Sequence, residues 1–136
     1  MSKVIGIDYG KKRIGIAISD IHQKIAFPLK TVEKNRTIEI LKKIIESEKV
    51  ASIVVGVPVN LDGSNTDATE MCFKFHLKLK KEFPKISHYI ADERLTSKLA
   101  KRFLNKCNKK KQRGNKKNID KISASIILEN FLIGLN

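Results

Sequence analysis

The sequence predicts an α/β fold built on a mixed five-stranded sheet, with three antiparallel strands followed by parallel strands and with helices on both faces. Two observations lead to this prediction. The chain opens with three consecutive apolar segments of strand length, and after them short β-branched runs alternate with segments of helical periodicity. A chain of 136 residues can bury roughly two thirds of its unfolded surface as one domain. We therefore expect a single domain over residues 1–136.

The first three strands are predicted from isoleucine-rich segments joined by short turns. Residues 3–9 and 13–19 alternate isoleucine with small residues across a glycine and lysine turn. Residues 24–32 continue as a third strand, and Pro28 within it suits the edge of a sheet because proline has no N–H for a neighbouring strand. The connections that follow leave the first strand in the centre of the sheet, buried on both sides.

Helices and strands alternate after the third strand. Asn35 is a candidate cap for a helix in which Ile38, Leu41 and Ile45 recur at helical spacing. The run IVVGV at 53–57 is short, β-branched and free of polar residues, which indicates a buried parallel strand.

The second half of the chain repeats this alternation. Asp67 and Glu70 form a cap-like pair ahead of a helix that Pro84 closes, and residues 86–91 read as another short strand. Two more helices are predicted, one from Thr96 to Leu104 and a final amphipathic one with its apolar positions at Ile119, Ile122, Ile126 and Leu128 to Leu132. The predicted order is β β β α β α β α α.

Positive charge is concentrated in one region of the chain. The formal net charge is +14, and the stretch from Arg94 to Lys121 holds twelve lysines and arginines against the single acid Asp120. Such a field favours polyanionic partners such as nucleic acid or an acidic membrane surface. We expect residues 105–117 to form a basic, mobile loop that orders on nucleic acid and tracks its phosphates.

Several functional classes are disfavoured by composition. Cys72 and Cys107 lack the spacing of a zinc site or a disulfide framework, so we expect reduced thiols in the cytoplasm. The N-terminus has no apolar signal core, and no apolar run reaches the length of a membrane span, so no membrane partner is expected. His22, His76 and His88 are scattered singly and receive no functional role.

The aspartate within the first strand is the main candidate for chemistry. Asp8 lies in the stretch VIGIDYGKKRIGIAIS, where a half-buried carboxylate costs several kcal/mol unless a cation, a metal or backbone donors compensate it. One explanation is an ion pair with Arg13 or with a lysine of the turn. The other is a functional site, because α/β sheets place chemistry where a central strand ends.

Two further carboxylates could join Asp8. Glu93, in the stretch ADERLTS, could face Asp8, but strand alternation lets only one of Glu93 and its neighbour Asp92 do so. Asp120 lies in the predicted first turn of the final helix, where helix-dipole complementarity alone would explain it. Three carboxylates from distant segments suit one or two Mg2+ or Mn2+ ions, because hard cations prefer oxygen ligands.

Four sequence blocks, in order and at these separations, resemble the YqgF family of the ribonuclease H superfamily. The blocks are GIDYGKKRIGIAISD, VVGVPVNLDGS, ADERLTS and NIDKISASIILENFL, and they span almost the whole chain. The resemblance implies a ribonuclease H-like fold with an acidic, metal-binding catalytic site at Asp8, Glu93 and Asp120. Arg13 and Thr96 also match positions at which members of the family commonly have the same residues. One small departure is that Ser123, Ala124 and Ser125 stand where the family tends to have paired alanines.

The family's members are described as Holliday junction resolvases and as nucleases that mature the precursor of small-subunit ribosomal RNA. The resemblance therefore implies a metal-dependent nuclease acting on structured nucleic acid, with maturation of the 5' end of pre-16S ribosomal RNA favoured. The alternatives are a Holliday junction resolvase and a non-catalytic RNA-binding or transcription-associated module. An ATP-using phosphotransferase of the actin, Hsp70 and sugar kinase superfamily is disfavoured because one domain offers no second half to hold the nucleotide.

The expected partners are precursor ribosomal RNA, or branched DNA in the alternative, with ribosomal particles as a further partner and the chain acting as a monomer or weak homodimer. The residues expected to contact nucleic acid are Arg13, Arg94, Thr96, Lys98, Arg102, Lys109, Lys110, Lys111, Arg113, Lys116 and Lys117.

Overall fold

A five-stranded mixed sheet organises the computed structural model, which describes residues 2–10, 12–57, 66–92 and 116–135. The strands are β1 (Lys3–Tyr9), β2 (Arg13–Ser19), β3 (Ala26–Glu33), β4 (Val50–Val57) and β5 (Ser87–Asp92). The described helices are α1 (Thr37–Ser47), α2 (Asp67–Glu82) and α3 (Lys116–Leu135). The strand order β3-β2-β1-β4-β5 confirms the predicted sheet with β1 at its centre.

The strand directions bring the carboxyl ends of four strands to the same end of the sheet. β1 runs antiparallel to β2 and parallel to β4, while β2 pairs antiparallel with β3 and β4 pairs parallel with β5. As a result β1, β3, β4 and β5 all finish at one end of the sheet, where β2 begins. We call this the carboxyl end, and α/β sheets bind their ligands at this end.

Helices cover both faces of the sheet, as predicted. On one face, Ile5 and Ile7 of β1 are fully buried in a core that includes Leu41 of α1 and Leu79 of α2. On the other face, Val4 packs with Ala17 and Val54 against the apolar side of α3. Alternation along β1 therefore assigns odd positions to the α1 and α2 face and even positions, including position 8, to the α3 face.

A glycine in β1 allows α3 to lie close to the sheet. A Cβ atom at Gly6 would lie 2.7 Å from Cβ of Leu128 and 3.0 Å from the carbonyl oxygen of Ala124. A side chain there would push the helix away. The buried positions of α3 are Ser123, Ala124, Ile127, Leu128 and Leu132.

This packing rotates the apolar face of α3 relative to the prediction. Leu128 and Leu132 are buried as predicted, whereas Ile122 and Ile126 are only half-buried. Ser123 and Ala124 are buried against the sheet instead, and the short side chain of Ala124 suits the close approach of its carbonyl oxygen to Gly6.

The start of α3 also differs from the prediction. The helix begins at Lys116, so Lys116 and Lys117 belong to it and not to the expected loop over 105–117. Asp120 therefore lies one turn inside the helix. The predicted helix from Thr96 to Leu104 lies outside the described residues.

Two helix caps were predicted at the wrong residues. A 3-10 turn, Lys34–Arg36, precedes α1, and Arg36 instead of Asn35 is the N-cap. At α2 the cap is Thr66, whose hydroxyl accepts from the Thr69 N–H at 3.1 Å, while Thr69 Oγ1 accepts from the Thr66 N–H at 2.9 Å. Thr66 has the extended backbone that is typical of a capping residue, whereas Asp67 is already helical.

β1 and β2 have the predicted bounds, whereas the bounds of β3, β4 and β5 differ from the prediction by one to three residues, most of all in β4, which begins at Val50 and not at residue 53. Within the described part of the chain, no helix combines the length and the apolar character that crossing a membrane requires.

Candidate active site

Asp8 lies near the end of the central strand, at the carboxyl end of the sheet. Its neighbours in the two adjacent strands are both glycines, Gly15 of β2 and Gly56 of β4. The side chain is half-buried and, as an even position of β1, belongs to the α3 face. Neither neighbour carries a side chain, so these two strands place no side-chain atom directly beside this carboxylate.

Asp120 reaches the same place from the other end of the chain. A Cβ atom at Gly15 would overlap the carbonyl oxygen of Asp120, so the α3 backbone rests directly on this position of β2. Gly15 is also the cross-strand partner of Asp8. The structure therefore brings Asp8 and Asp120 to one row and one face of the sheet, which the sequence analysis could only hypothesise.

Arg13 pairs with Asp120 and not with Asp8. Its Nε donates to Asp120 Oδ2 at 3.0 Å, and the two side chains are 28% and 24% exposed. A hydrogen bond between charged groups contributes about 1.5–3 kcal/mol in general, and less where solvent screens it. Its consequence here is positional, because the pair fixes the Asp120 carboxylate next to the first residue of β2.

This pairing also argues against the simpler explanation of Asp120, which was complementarity to the helix dipole. Helix-dipole stabilisation is limited to the first turn, and Asp120 lies beyond it in a helix that begins at Lys116. The position of Asp120 is instead coupled to β2 through Arg13 and Gly15.

The register of β5 distinguishes Asp92 from its neighbour. Ala91 pairs with Gly56, in the row that contains Asp8, whereas Asp92 pairs with Val57 in the next row. The backbone of Asp92 is thus one residue out of step with Asp8. Glu93 lies outside the described residues.

Most of the predicted nucleic-acid contacts also fall outside the described ranges. They are Arg94, Thr96, Lys98, Arg102, Lys109, Lys110, Lys111 and Arg113. For Lys116 and Lys117 the structure describes the helical backbone alone.

The chemistry of the described carboxylates fits a hard divalent cation. Asp8 and Asp120 offer only oxygen donors, the ligands that Mg2+ and Mn2+ prefer. The described segments contain no group of three His, Cys, Asp or Glu side chains that could hold a metal, and the predicted third carboxylate is Glu93. The metal site formed by Asp8, Glu93 and Asp120 therefore stays a prediction, and the two members that the structure describes, Asp8 and Asp120, fit it.

A basic groove next to Arg13 was missed by the sequence analysis. It encloses about 870 Å³ between the start of β2, the end of β3 and the 3-10 turn. Its charged lining consists of five cations and one acid, namely Lys12, Arg13, Lys30, Lys34, Arg36 and Glu33. We call it the β3 groove. Only Arg13 was singled out from the sequence, because the other cations are individually ordinary and become neighbours through the pairing of β2 with β3.

Tyr9 follows Asp8 in β1 but packs on the opposite face. Its ring centroid lies 4.5 Å from that of Phe75, and Lys34 Nζ lies 4.6 Å from the Tyr9 ring centroid. Burial, and secondarily Cys72, raise the pKa of the Tyr9 phenol above its ordinary value. Tyr9 thus serves as a stacking platform that orients Lys34.

Sequence comparison matches nearly the whole chain to one family. The family model described as "RuvX: Holliday junction resolvase" matches residues 2–133. A protein of Amoebophilus asiaticus named "Putative pre-16S rRNA nuclease" is 42% identical over 133 residues, which cover 97% of this chain and 94% of that protein. The proteins of the same name from Flavobacterium psychrophilum and Rickettsia akari are 40% and 42% identical and cover 97% and 96% of this chain, and 97% and 86% of their own lengths.

Structural comparison finds the same architecture in a solved protein. The structure of Thermus thermophilus RuvC in complex with a Holliday junction substrate superposes with a TM-score of 0.59, covering 99% of this chain and 96% of that chain at 13% identity. A second structure of Thermus thermophilus RuvC gives a TM-score of 0.57 with 98% and 96% coverage at 13% identity. At this identity the likeness concerns the fold, which is the predicted ribonuclease H-like one.

Proposed function

This chain belongs to the RuvX family, also known as YqgF, and on that premise we propose that it is a metal-dependent nuclease that hydrolyses phosphodiester bonds of structured nucleic acid. The observation that carries the proposal is the convergence of Asp8 and Asp120 at Gly15. Two acids from opposite ends of the chain share one row at the carboxyl end of the sheet, where the β3 groove supplies cations for phosphates.

The proposed substrate is the 5' end of the precursor of 16S ribosomal RNA. The names of the relatives from Amoebophilus asiaticus and Flavobacterium psychrophilum support this choice. The second candidate is a Holliday junction, which the description of the family model and the fold shared with RuvC support. Cleaving a junction requires two symmetric cuts and hence a dimer, whereas trimming RNA does not.

The proposed site consists of Asp8, Asp120 and Glu93, which would hold one or two Mg2+ or Mn2+ ions. Such ions supply Lewis-acid chemistry, because they lower the pKa of water and stabilise negative charge on a leaving oxygen. The described residues contribute position: β1 holds Asp8 on a rigid central strand, and Arg13 holds the Asp120 carboxylate. No covalent intermediate with the protein is required.

The proposed nuclease is a single domain that acts in the cytoplasm. Residues 1–136 act as one nuclease domain, and the lysines and arginines over 105–117 contact phosphates of the nucleic acid. A nuclease of precursor ribosomal RNA works in the cytoplasm, with ribosomal particles as partners, and a monomer or a weak homodimer suffices for it.

Replacing Asp8 tests the proposed chemistry. We expect the wild-type protein to cleave in Mg2+ or Mn2+ but not in EDTA, and we expect Asp8→Asn to lose at least about a hundredfold in rate. Asparagine keeps the volume while removing the charge that holds the cation. The matched control is Asp67→Asn, an exposed acid on α2, which should cleave at the wild-type rate. Metal-independent or undiminished cleavage by folded Asp8→Asn protein would contradict the site.

A competition experiment chooses between the two substrates. A labelled precursor 16S end and a four-way DNA junction are mixed at equal concentration and moderate salt, and the oligomeric state is measured in parallel. Trimming of the RNA by a monomer supports the first proposal. Paired cleavage of the junction by a dimer would replace it with the second.

A further inference from the structure

We propose that the β3 groove is a second phosphate-binding surface, which holds the backbone of the nucleic-acid strand on the β3 side of the active site. The inference rests on the proposed nuclease function and adds a binding site to it. The strand would cross the carboxyl end of the sheet, with the β3 groove on one side of Asp8.

The charge of the groove favours an anionic occupant. Five cations and one acid, Glu33, line a space of about 870 Å³, and one of these cations, Arg13, is paired with Asp120. Within the described part of the chain, Lys12 and Lys30 pair with no carboxylate, and Arg36 approaches only Glu39, at 3.8 Å on an exposed surface. Like charges this close repel one another, and a polyanion that displaces their counterions relieves the repulsion.

The uncharged lining favours a phosphate backbone over bases. The remaining groove residues are Thr31, Val32, Asn35 and Ile40, and none of the groove residues is aromatic. Single-stranded bases are usually held by stacking on aromatic rings, which the groove does not provide. Lysines and arginines without aromatic partners contact phosphates and carry no sequence preference.

The groove is continuous with the candidate active site through one residue. Arg13 lines the groove and donates to Asp120 at 3.0 Å. The groove also lies where β3 ends and β2 begins, which is the carboxyl end of the sheet that carries Asp8. A strand bound in the groove would therefore lead directly to the proposed carboxylates.

A second, smaller groove extends the same surface away from the site. It encloses about 390 Å³ and shares Lys34 with the β3 groove, and its other cations are Lys74 and Lys78 of α2. Tyr9 holds Lys34 between the two grooves by a cation–π contact. A surface that continues past one pocket suits an extended strand better than a single small phosphate ligand.

Neutralising the exposed lysines of the groove tests the inference. The variant Lys12→Gln/Lys30→Gln is compared with Lys49→Gln/Lys85→Gln, which removes the same charge from exposed lysines that precede β4 and β5 at the opposite end of the sheet. Binding of a labelled RNA is measured by anisotropy in EDTA over a range of salt concentrations, so the result does not depend on cleavage. Circular dichroism verifies that both variants are folded.

We expect the groove variant to lose roughly ten- to fiftyfold in affinity at 0.1 M salt and to flatten the slope of log K against log salt by about 1.4–1.8, because each lost phosphate contact lowers the slope by 0.7–0.9. The control should keep the wild-type slope. Equal losses in both variants, or a wild-type slope in the groove variant, would overturn the inference even if the wild-type protein cleaves RNA. Absence of cleavage by wild-type protein with metal would count against the proposed function instead.

Two further measurements use the wild-type protein. Bound RNA should protect Lys12, Lys30 and Lys34 from acetylation several-fold more than Lys49 and Lys85, and equal protection would contradict the inference. Inorganic phosphate or a mononucleotide should displace RNA only at millimolar concentration. The RNA concentration needed for binding can be expressed as a concentration of phosphate groups. If phosphate or a mononucleotide displaced RNA at that same concentration, the groove would be a site for small anions, and the assignment to a strand would be overturned.

Discussion

At the scale of single residues, the position of Asp8 depends on its neighbours as much as on its own strand. Gly15 and Gly56 flank it in the adjacent strands, and Gly15 also admits the backbone of Asp120. A carboxylate surrounded by branched side chains would be desolvated without compensation, which costs several kcal/mol. With a glycine on each side, Asp8 is half-buried.

Glu93 and Asp92 should differ sharply in activity. The backbone of Asp92 is one residue out of step with Asp8, so alternation favours Glu93 as the third carboxylate. We expect Glu93→Gln to abolish cleavage and Asp92→Asn to retain most of it, measured as single-turnover rates in Mn2+. Equal and severe losses would reject the assignment of Glu93 alone.

At the scale of elements, the site is assembled by the docking of α3 on the sheet. The helix touches β1 at Gly6 and β2 at Gly15, and Arg13 ties its second turn to the start of β2. The placement of Asp120 is therefore a property of helix packing.

Adding one methyl group at Gly15 should disturb this docking. We expect Gly15→Ala to lower the free energy of unfolding by about 1–3 kcal/mol, because the methyl group meets the immobile backbone of Asp120, and to reduce cleavage as well. The matched control is Gly134→Ala in the same helix, where a Cβ would meet nothing within 4 Å. It should be neutral or stabilise by up to about 1 kcal/mol. Urea unfolding measures both, and wild-type stability of Gly15→Ala would contradict the packing argument.

At the scale of the whole molecule, one core lies on each face of the sheet, and the protein also buries a histidine. His76 of α2 lies in the core, and its ring approaches that of His88 in β5 edge-on with centroids 6.2 Å apart. Burial lowers the pKa of His76, and the nearby Lys80 and His88 lower it further. The folded protein therefore favours the neutral ring.

This shift predicts a loss of stability in mild acid. A histidine whose pKa is lowered by folding contributes its full stability above its unfolded pKa of about 6.5, and that contribution is lost as the pH falls towards the folded value. We expect the free energy of unfolding to decline from pH 7.5 to pH 5.5, and the decline to become smaller in His76→Gln than in the exposed control His22→Gln. Backbone hydrogen bonds lower the pKa of Asp20, so its contribution disappears only at much lower pH. An equal decline in both variants would exclude His76 as the cause.

Much of the fold follows from local patterns in the chain. Isoleucine alternation placed β1 and β2 within a residue of their observed bounds, and the short β-branched run at 53–57 indicated the buried parallel strand β4. These predictions were confirmed because strand and helix periodicity depends on residues close together in sequence. The helix caps were predicted wrongly, and the apolar face of α3 was predicted only in part, because Leu128 and Leu132 are buried while Ile122 and Ile126 are half-buried. Caps and buried faces depend on backbone geometry and on what the helix packs against.

The sequence by itself determined the order of the elements, the central position of β1, the candidate carboxylate at Asp8 and the concentration of positive charge after β5. Only the tertiary structure decided which residues meet: that Arg13 pairs with Asp120 and not with Asp8, that Gly15 joins the two acids, and that cations from the start of β2, from β3 and from the 3-10 turn line one groove. The physical reason is that such contacts depend on the register between strands and on the close approach of a helix, and both are set by packing across segments far apart in the chain.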